Sequence, residues 1–423
     1  MVCIFSSSFC GELKQNISVI SGANIQQRFI QRGTVYSTFF EDNLVADLLG
    51  VEPGAVTAEL CRVLGVDYPA MTSGLRPMTR PQAKARPTLA IPREQMLAVN
   101  DTVGLAPALK KLREMYDRGL QYLARSQSEK GDFTSGGGEQ GAGVTGLAVM
   151  VFLASGEDPN YGLYSNNVRR GLRSIINTQD ARTGFLGQSM YHHGFGMLAL
   201  AEAYGTVDDR QLWPEGTKGK ATIGGALELA VRAAITSQKK NPLGGWRYSP
   251  DATDADTSVS GAVLVGLLAA RNAGIEVPDG VIDRAISYYK KMTAASGQVG
   301  YSGGIGGFDE SFARVAIATL VYSVSRRRDL PQFKATLGYL TQRIEPSVAT
   351  QHYPEYSRYY LAQALFQGDV DAWEQWNKLL IRQLKQSQQA DGSFQGQFGP
   401  VTGTTLSLLA TALNYRFLPI YER

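Results

Sequence analysis

Two aspartates, Asp254 and Asp256, stand just before an apolar run that opens at Val259. Carboxyl groups so placed can do proton chemistry when one is shielded, because burial or a neighbouring carboxylate raises its pKa. They can equally cap a helix by accepting hydrogen bonds from its first free N–H groups. Asp309-Glu310 and Pro354-Glu355 precede similar runs, and aligning those runs puts them, with His192-His193 and Asp256-Thr257, at one structural position. His352 lies just before the last pair, so all three histidines fall at such junctions. Arg314 and Arg358 lie a few residues inward, among Tyr191, Phe308, Tyr353, Tyr356 and Tyr359. A carboxylate and imidazole rim invites a divalent metal, yet no His-Glu-x-x-His spacing is present, so neither metal nor other cofactor is expected. Two readings stay open. The set is a row of helix caps with locally bonded histidines, or it is the polar mouth of an apolar, aromatic cavity.

The chain that must position these residues has 423 of them, 43% apolar and 19% charged, enough for a sizeable core. Its net charge of +4 is too small to suggest a nucleic-acid surface. No apolar stretch is long enough to span a membrane, and the short run Val2–Phe5 does not read as a signal peptide. A cytoplasmic address is the default expectation, with export open if the start is mis-assigned. Cys3, Cys10 and Cys61 form neither a disulfide framework nor a zinc set. Residues 1–105, with a Pro-rich linker over Pro69–Pro92, read as a weakly structured extension, and residues 106–423 as the folded domain.

Glycine is in excess, 46 residues, and the excess is organised. The string Leu123-x-x-x-Gln127-x-x-x-Gly131-x-Phe133 returns as Leu384-x-x-x-Gln388-x-x-x-Gly392-x-Phe394. Looser copies are Gln179…Gly184-Phe185 and Gln238…Gly244-Gly245-Trp246, with Gly300-Tyr301 and His352-Tyr353 as degenerate ones. That is a sixfold repeat. After each aromatic loop comes a helix apolar nearly all round: 144–154, 195–204, 259–270, 312–324, 359–366 and 404–413. The helices before the loops, such as 378–388, are charged on one face. Arg326-Arg327-Arg328 ends one apolar helix, where cations complement the dipole. Six buried helices inside six amphipathic ones predict an all-α fold, an (α/α)6 barrel with an irregular N-terminal extension.

The repeated string resembles the QW repeat of squalene and oxidosqualene cyclases, and the barrel is similar to that of protein prenyltransferase β subunits. The resemblance covers about residues 119–423. Cyclases of this kind carry Asp-x-Asp-Asp-Thr, whose middle aspartate protonates an alkene. In the matching window, Thr253-Asp254-Ala255-Asp256-Thr257, the donor's place falls on Ala255. The barrel has no cysteine for a prenyltransferase zinc site, and in Gly136-Gly137-Gly138-Glu139-Gln140 a glycine replaces the cysteine of complement-type thioesters. The resemblance therefore implies a toroid that binds an apolar, isoprenoid-like or peptide ligand in its central cavity without standard cyclase catalysis. His192, His193, Trp246, Asp309, Glu310, Arg314, Tyr353, Tyr356 and Arg358 would line that site. One alternative is an isoprenoid cyclase using Asp254 or Asp256 as an off-register proton donor. Another is a scaffold for a protein partner.

Overall fold

The computed structural model describes residues 107–134, 141–214, 216–217, 221–303, 311–344, 353–415 and 418. The extension 1–105, the 136–140 glycine loop, Asp309, Glu310 and His352 lie outside them. The chain divides between Lys110 and Lys111, a point within the helix Pro107–Ser126.

Twelve α-helices are described, and no β-strand. The outer ones are α1 (Pro107–Ser126), α3 (Ser165–Asn177), α5 (Ile223–Lys240), α7 (Asp279–Met292), α9 (Pro331–Thr341) and α11 (Val370–Ser387). They alternate with inner helices α2 (Ala142–Leu153), α4 (Met190–Ala203), α6 (Thr257–Asn272), α8 (Phe312–Val324), α10 (Pro354–Gly368) and α12 (Gly399–Ala412). Each inner helix packs on the next, and α12 returns to α2. The ring is closed: this is an α/α toroid.

The apolar pattern explains the layering. Along α1, Leu112, Met115, Tyr116, Leu120 and Leu123 are buried, whereas Glu114, Arg118, Gln121 and Arg125 face solvent. In α2 every residue but Val144 is buried, as a helix enclosed on all sides requires. Small residues let the inner backbones meet. A Cβ on Gly146 would lie 2.8 Å from the Phe195 carbonyl oxygen, and one on Gly194 2.7 Å from the Ala262 carbonyl carbon.

The repeated glutamine holds neighbouring outer helices together. Gln127 Nε2 donates to the Gly131 carbonyl of its own loop (2.9 Å) and to the Asn167 carbonyl of α3 (3.0 Å). Gln179 does the same to Gly184 (3.0 Å) and Ala226 of α5 (2.8 Å). Gln238 reaches Gly244 (2.8 Å) and Val281 of α7 (2.9 Å). Gln388 donates to Gly392 and to Met115 of α1, both at 2.9 Å, and so joins the last outer helix to the first. Three residues beyond the glutamine's partner, an arginine returns the contact in three seams. Arg170 donates to the Ser128 carbonyl, Arg284 to Gln238 (3.2 Å) and Arg118 to Gln389 (2.7 Å). The loop glycine must be glycine. Gly392 has φ 94°, and a Cβ there would sit 2.3 Å from the Arg118 carbonyl oxygen.

The structure corrects the register of two loops. The residue two after the glycine is the one buried: Phe133, Leu186, Trp246, Val299 and Phe394. In the second repeat that is Leu186, not Phe185. In the fourth it is Val299 after Gly297, not Tyr301. Thr293 takes the glutamine's place there, its hydroxyl bonded to the Tyr289 carbonyl (2.8 Å) and the Tyr322 hydroxyl (3.0 Å), so the α7–α9 seam has no glutamine bridge.

Gln388→Leu is expected to cost about 2 kcal/mol, the net worth of two hydrogen bonds whose carbonyl partners stay half-buried. Gly392→Ala should cost more, since it adds backbone strain to a steric clash. Exposed Gln389→Leu is the control, expected within about 0.5 kcal/mol of wild type. Urea denaturation of the three variants checks the order.

Candidate functional site

The site is built at the N-terminal ends of the inner helices. Three of them have side-chain caps: Ser189 accepts from the His192 N–H (3.4 Å), Asp256 from Val259 (2.8 Å) and Ser311 from Arg314 (3.5 Å). Ser189, Asp256 and Ser311 are therefore the equivalent positions. This corrects the expected alignment: Asp309 and Glu310 precede the cap of α8, and His192-His193 lie inside α4.

Asp256 is fully buried. Its Oδ1 caps α6, whereas Oδ2 has no hydrogen-bond partner. The nearest cation is Arg247, with Nε 3.7 Å from Oδ2, and Arg247 Nη1 lies 3.6 Å from Asp254. Burial pushes the Asp256 carboxyl up to about 6, against the pull of the Val259 N–H and Arg247. Asp254, by contrast, is 65% exposed at its side chain. Ala255, at the proton donor's expected place, is buried beside Gly245.

Around this pair stand Arg247, Tyr248 and Tyr288, which the sequence does not single out, together with the repeat marker Tyr301 and the expected site residue Arg314. Arg247 lies over the Tyr248 and Tyr301 rings at 5.6 and 5.3 Å, and the two tyrosine hydroxyls meet at 3.1 Å. Arg314, buried, approaches the Tyr301 ring at 5.8 Å from α8. Tyr288 is buried on α7, its hydroxyl without a partner and its pKa raised by burial, then by Asp256. Arg247 adjoins the repeat marker Trp246 and could have been noticed from that. Tyr288 reads as an ordinary core residue, and nothing in its spacing marks it.

His193 and Trp246 have bonded positions in the wall. His193 Nδ1 accepts from the Leu186 N–H, and Nε2 meets the Ala230 carbonyl, each at 3.0 Å. Thr145, Ser260 and Thr404 accept the equivalent loop N–H from Phe133, Trp246 and Phe394. His193 thus acts as a polar peg between loop and inner helix. Burial holds its imidazolium down to about 4, despite the opposing Ala230 bond. The Trp246 indole N–H donates to the Ala234 carbonyl at 2.9 Å. His192 packs against Gly141 and Gly143 at the start of α2.

Across the ring, α4 faces α10, three places away. The Tyr191 and Tyr356 hydroxyls bond to each other, with ring centroids 6.2 Å apart. Phe195 packs on Tyr191 (5.3 Å) and Tyr360 on Tyr356 (4.8 Å), so aromatic side chains of α4 and α10 meet across the ring at this level. Tyr353 is 44% exposed and stacked on Phe398 at 5.4 Å. Arg358 donates to the Pro354 carbonyl (3.2 Å), and burial lowers its pKa. Glu355 is buried, its Oε1 accepting from the Gln397 N–H at 2.7 Å. Among the described residues, no group of three or more His, Cys, Asp or Glu could hold a metal ion, and no helix is long and apolar enough to cross a membrane.

The two perturbed groups have opposite pH effects. Asp256 titrates near 6 when folded and near 3.8 unfolded, so its buried charge costs stability above pH 6 and nothing below about pH 4. Asp256→Asn keeps a capping oxygen and is expected to exceed wild type by about 1–3 kcal/mol at pH 8 and to match it at pH 4. His193 titrates near 4 folded and 6.5 unfolded, so its stabilising contribution is complete above pH 6.5 and lost towards pH 4. His193→Thr should be destabilised at pH 8, with a deficit that shrinks as pH falls. Unfolding curves of each variant against wild type at pH 4, 6 and 8 test both signs.

No family model and no curated sequence matches the chain. Solved structures do. A variant of the type II terpene cyclase MstE from Scytonema, bound to its substrate geranylgeranyl dihydroxybenzoate, superposes with a TM-score of 0.52 at 15% identity. The match covers 75% of this chain and 99% of that one. Another MstE variant, bound to its product merosterolic acid A, matches at 0.52 and 16%, with the same coverage. At such identity the likeness establishes the fold: the described chain shares the α/α toroid of a type II terpene cyclase.

Proposed function

We propose that the toroid binds an elongated apolar ligand of isoprenoid type at the mouth of its inner helices and does not start cyclisation by protonating an alkene. The observation that carries this reading is the buried methyl of Ala255 where a cyclase needs its acid. Asp254 faces solvent, and one oxygen of Asp256 is occupied in capping α6. The aromatic axis of Tyr191, Phe195, Tyr356 and Tyr360 offers rings suited to alkene or methyl contact. The isoprenoid-tailed substrate of MstE supports the ligand class.

A second reading is a cyclase with Asp256 as donor. Its unbonded Oδ2 and raised pKa favour it, since both suit a carboxyl kept neutral for proton transfer.

The experiment is incubation of the full chain with squalene and geranylgeranyl compounds, followed by fluorescence titration and product analysis. Saturable binding without cyclised product is expected. Tyr356→Ala, which removes half of the axial aromatic pair, should change affinity roughly tenfold. Cyclised product that vanishes in Asp256→Asn but persists in Asp254→Asn would replace this reading with the second. Absence of binding to any of them would leave the scaffold role.

A further inference from the structure

Three buried polar atoms in the seam between the third and fourth repeats lack hydrogen-bond partners: Arg247 Nη1, Asp256 Oδ2 and Tyr288 OH. Asp256 and Tyr288 are 0% and 3% exposed. Arg247 approaches the carboxylates of Asp254 and Asp256 only to 3.6 and 3.7 Å, beyond hydrogen-bond length. Tyr288 packs into the same loop, since a Cβ on Gly245 would lie 3.0 Å from Tyr288 Cδ1 and 2.9 Å from the Cβ of Ala255, the neighbour of Asp256. One buried polar group without a partner costs about 1–3 kcal/mol, so three gathered together call for an occupant. Arg247 is itself 26% exposed at its side chain and packs on Tyr248, which is 47% exposed, so the buried group lies just beneath the surface.

We infer that Arg247, Asp256 and Tyr288 form a subsite for a hydroxyl head group at the end of the toroid's apolar ligand. This rests on the ligand-binding reading proposed above. A hydroxyl oxygen has two lone pairs and one proton. It accepts from Arg247 Nη1 and from Tyr288 OH, and donates to Asp256 Oδ2, which satisfies all three atoms. Charge and bonding capacity exclude the obvious rivals. A diphosphate would meet one arginine already facing two carboxylates, and an ammonium, having no lone pair, could accept from neither Arg247 Nη1 nor Tyr288 OH. A pure hydrocarbon would leave all three groups unpaired in a drier site. The occupant is neutral and both donates and accepts.

The test uses the full chain and three chain-matched probes, geranylgeraniol, its diphosphate and the corresponding hydrocarbon, titrated calorimetrically into wild type and Tyr288→Phe. The alcohol is expected to bind at least tenfold tighter than either other probe. Tyr288→Phe should reduce that preference several-fold and leave hydrocarbon affinity unchanged. Without ligand, the same variant should keep or raise Tm, because it removes only an unbonded hydroxyl. Equal affinity for alcohol and hydrocarbon would mean that water alone fills the seam, overturning the subsite while leaving the binding toroid intact. Preference for the diphosphate would overturn it in favour of an anion site. A fall in ligand-free Tm by several degrees would overturn it by showing that the hydroxyl is bonded within the protein. Failure of all three probes to bind would overturn both the subsite and the reading on which it rests.

Discussion

A primary amide has two N–H donors, and in this toroid the repeated glutamine divides them between two carbonyls. One belongs to its own loop and the other to the first turns of the next outer helix. The loop carbonyl has no helical partner of its own, whereas the helix carbonyl already serves its own helix with one lone pair and accepts the amide on the other. The amide therefore sets both the loop conformation and the distance between consecutive outer helices. The last of these contacts, from Gln388 to Met115, spans almost the whole repeated region and converts a row of helix pairs into a ring. Closure removes the two raw ends that an open solenoid must cap with polar repeats.

Once the outer helices are spaced, the inner ones have little freedom. Their loops are fastened by a second contact, in which a Thr, Ser or His on the inner helix accepts the N–H of the buried loop residue. His193 belongs to that series, which is why an imidazole sits in an apolar wall and stays neutral. Asp256 does not fit so comfortably. Ser189 and Ser311 cap the neighbouring inner helices without burying a charge, whereas Asp256 brings a carboxyl whose second oxygen has no donor. A cheaper cap was available, and the fold tolerates the costlier one beside Arg247 and Tyr288. That conflict between local economy and the residue present is where function is expected to reside.

Periodicity made much of this readable. The six inner helices were apparent from their uninterrupted apolar runs, and the outer ones from their one-sided charge. The loops were less so. Phe185 and Tyr301 are aromatic and follow a glycine, yet the buried places belong to Leu186 and Val299, because burial there follows distance from the left-handed glycine and not aromatic character. The alignment of Asp309 with Asp256 failed for a related reason. Polar residue type alone points to Asp309 as the helix start, and Ser311, two places later, is the actual cap.

The sequence by itself determined the repeat, the helix pairing and the absence of an acid at position 255, all of which depend on residue order over a few turns. It also supplied the glutamines, without saying what they bond. Only the tertiary structure decided that Arg247, from a loop, Asp256, from a helix start, and Tyr288, from an outer helix, share one seam. It alone placed Tyr191 against Tyr356, residues from opposite sides of the ring. The physical reason is that these meetings depend on ring closure and on the angle between successive helix pairs. Those quantities emerge from packing summed around the whole barrel, and no local pattern encodes them.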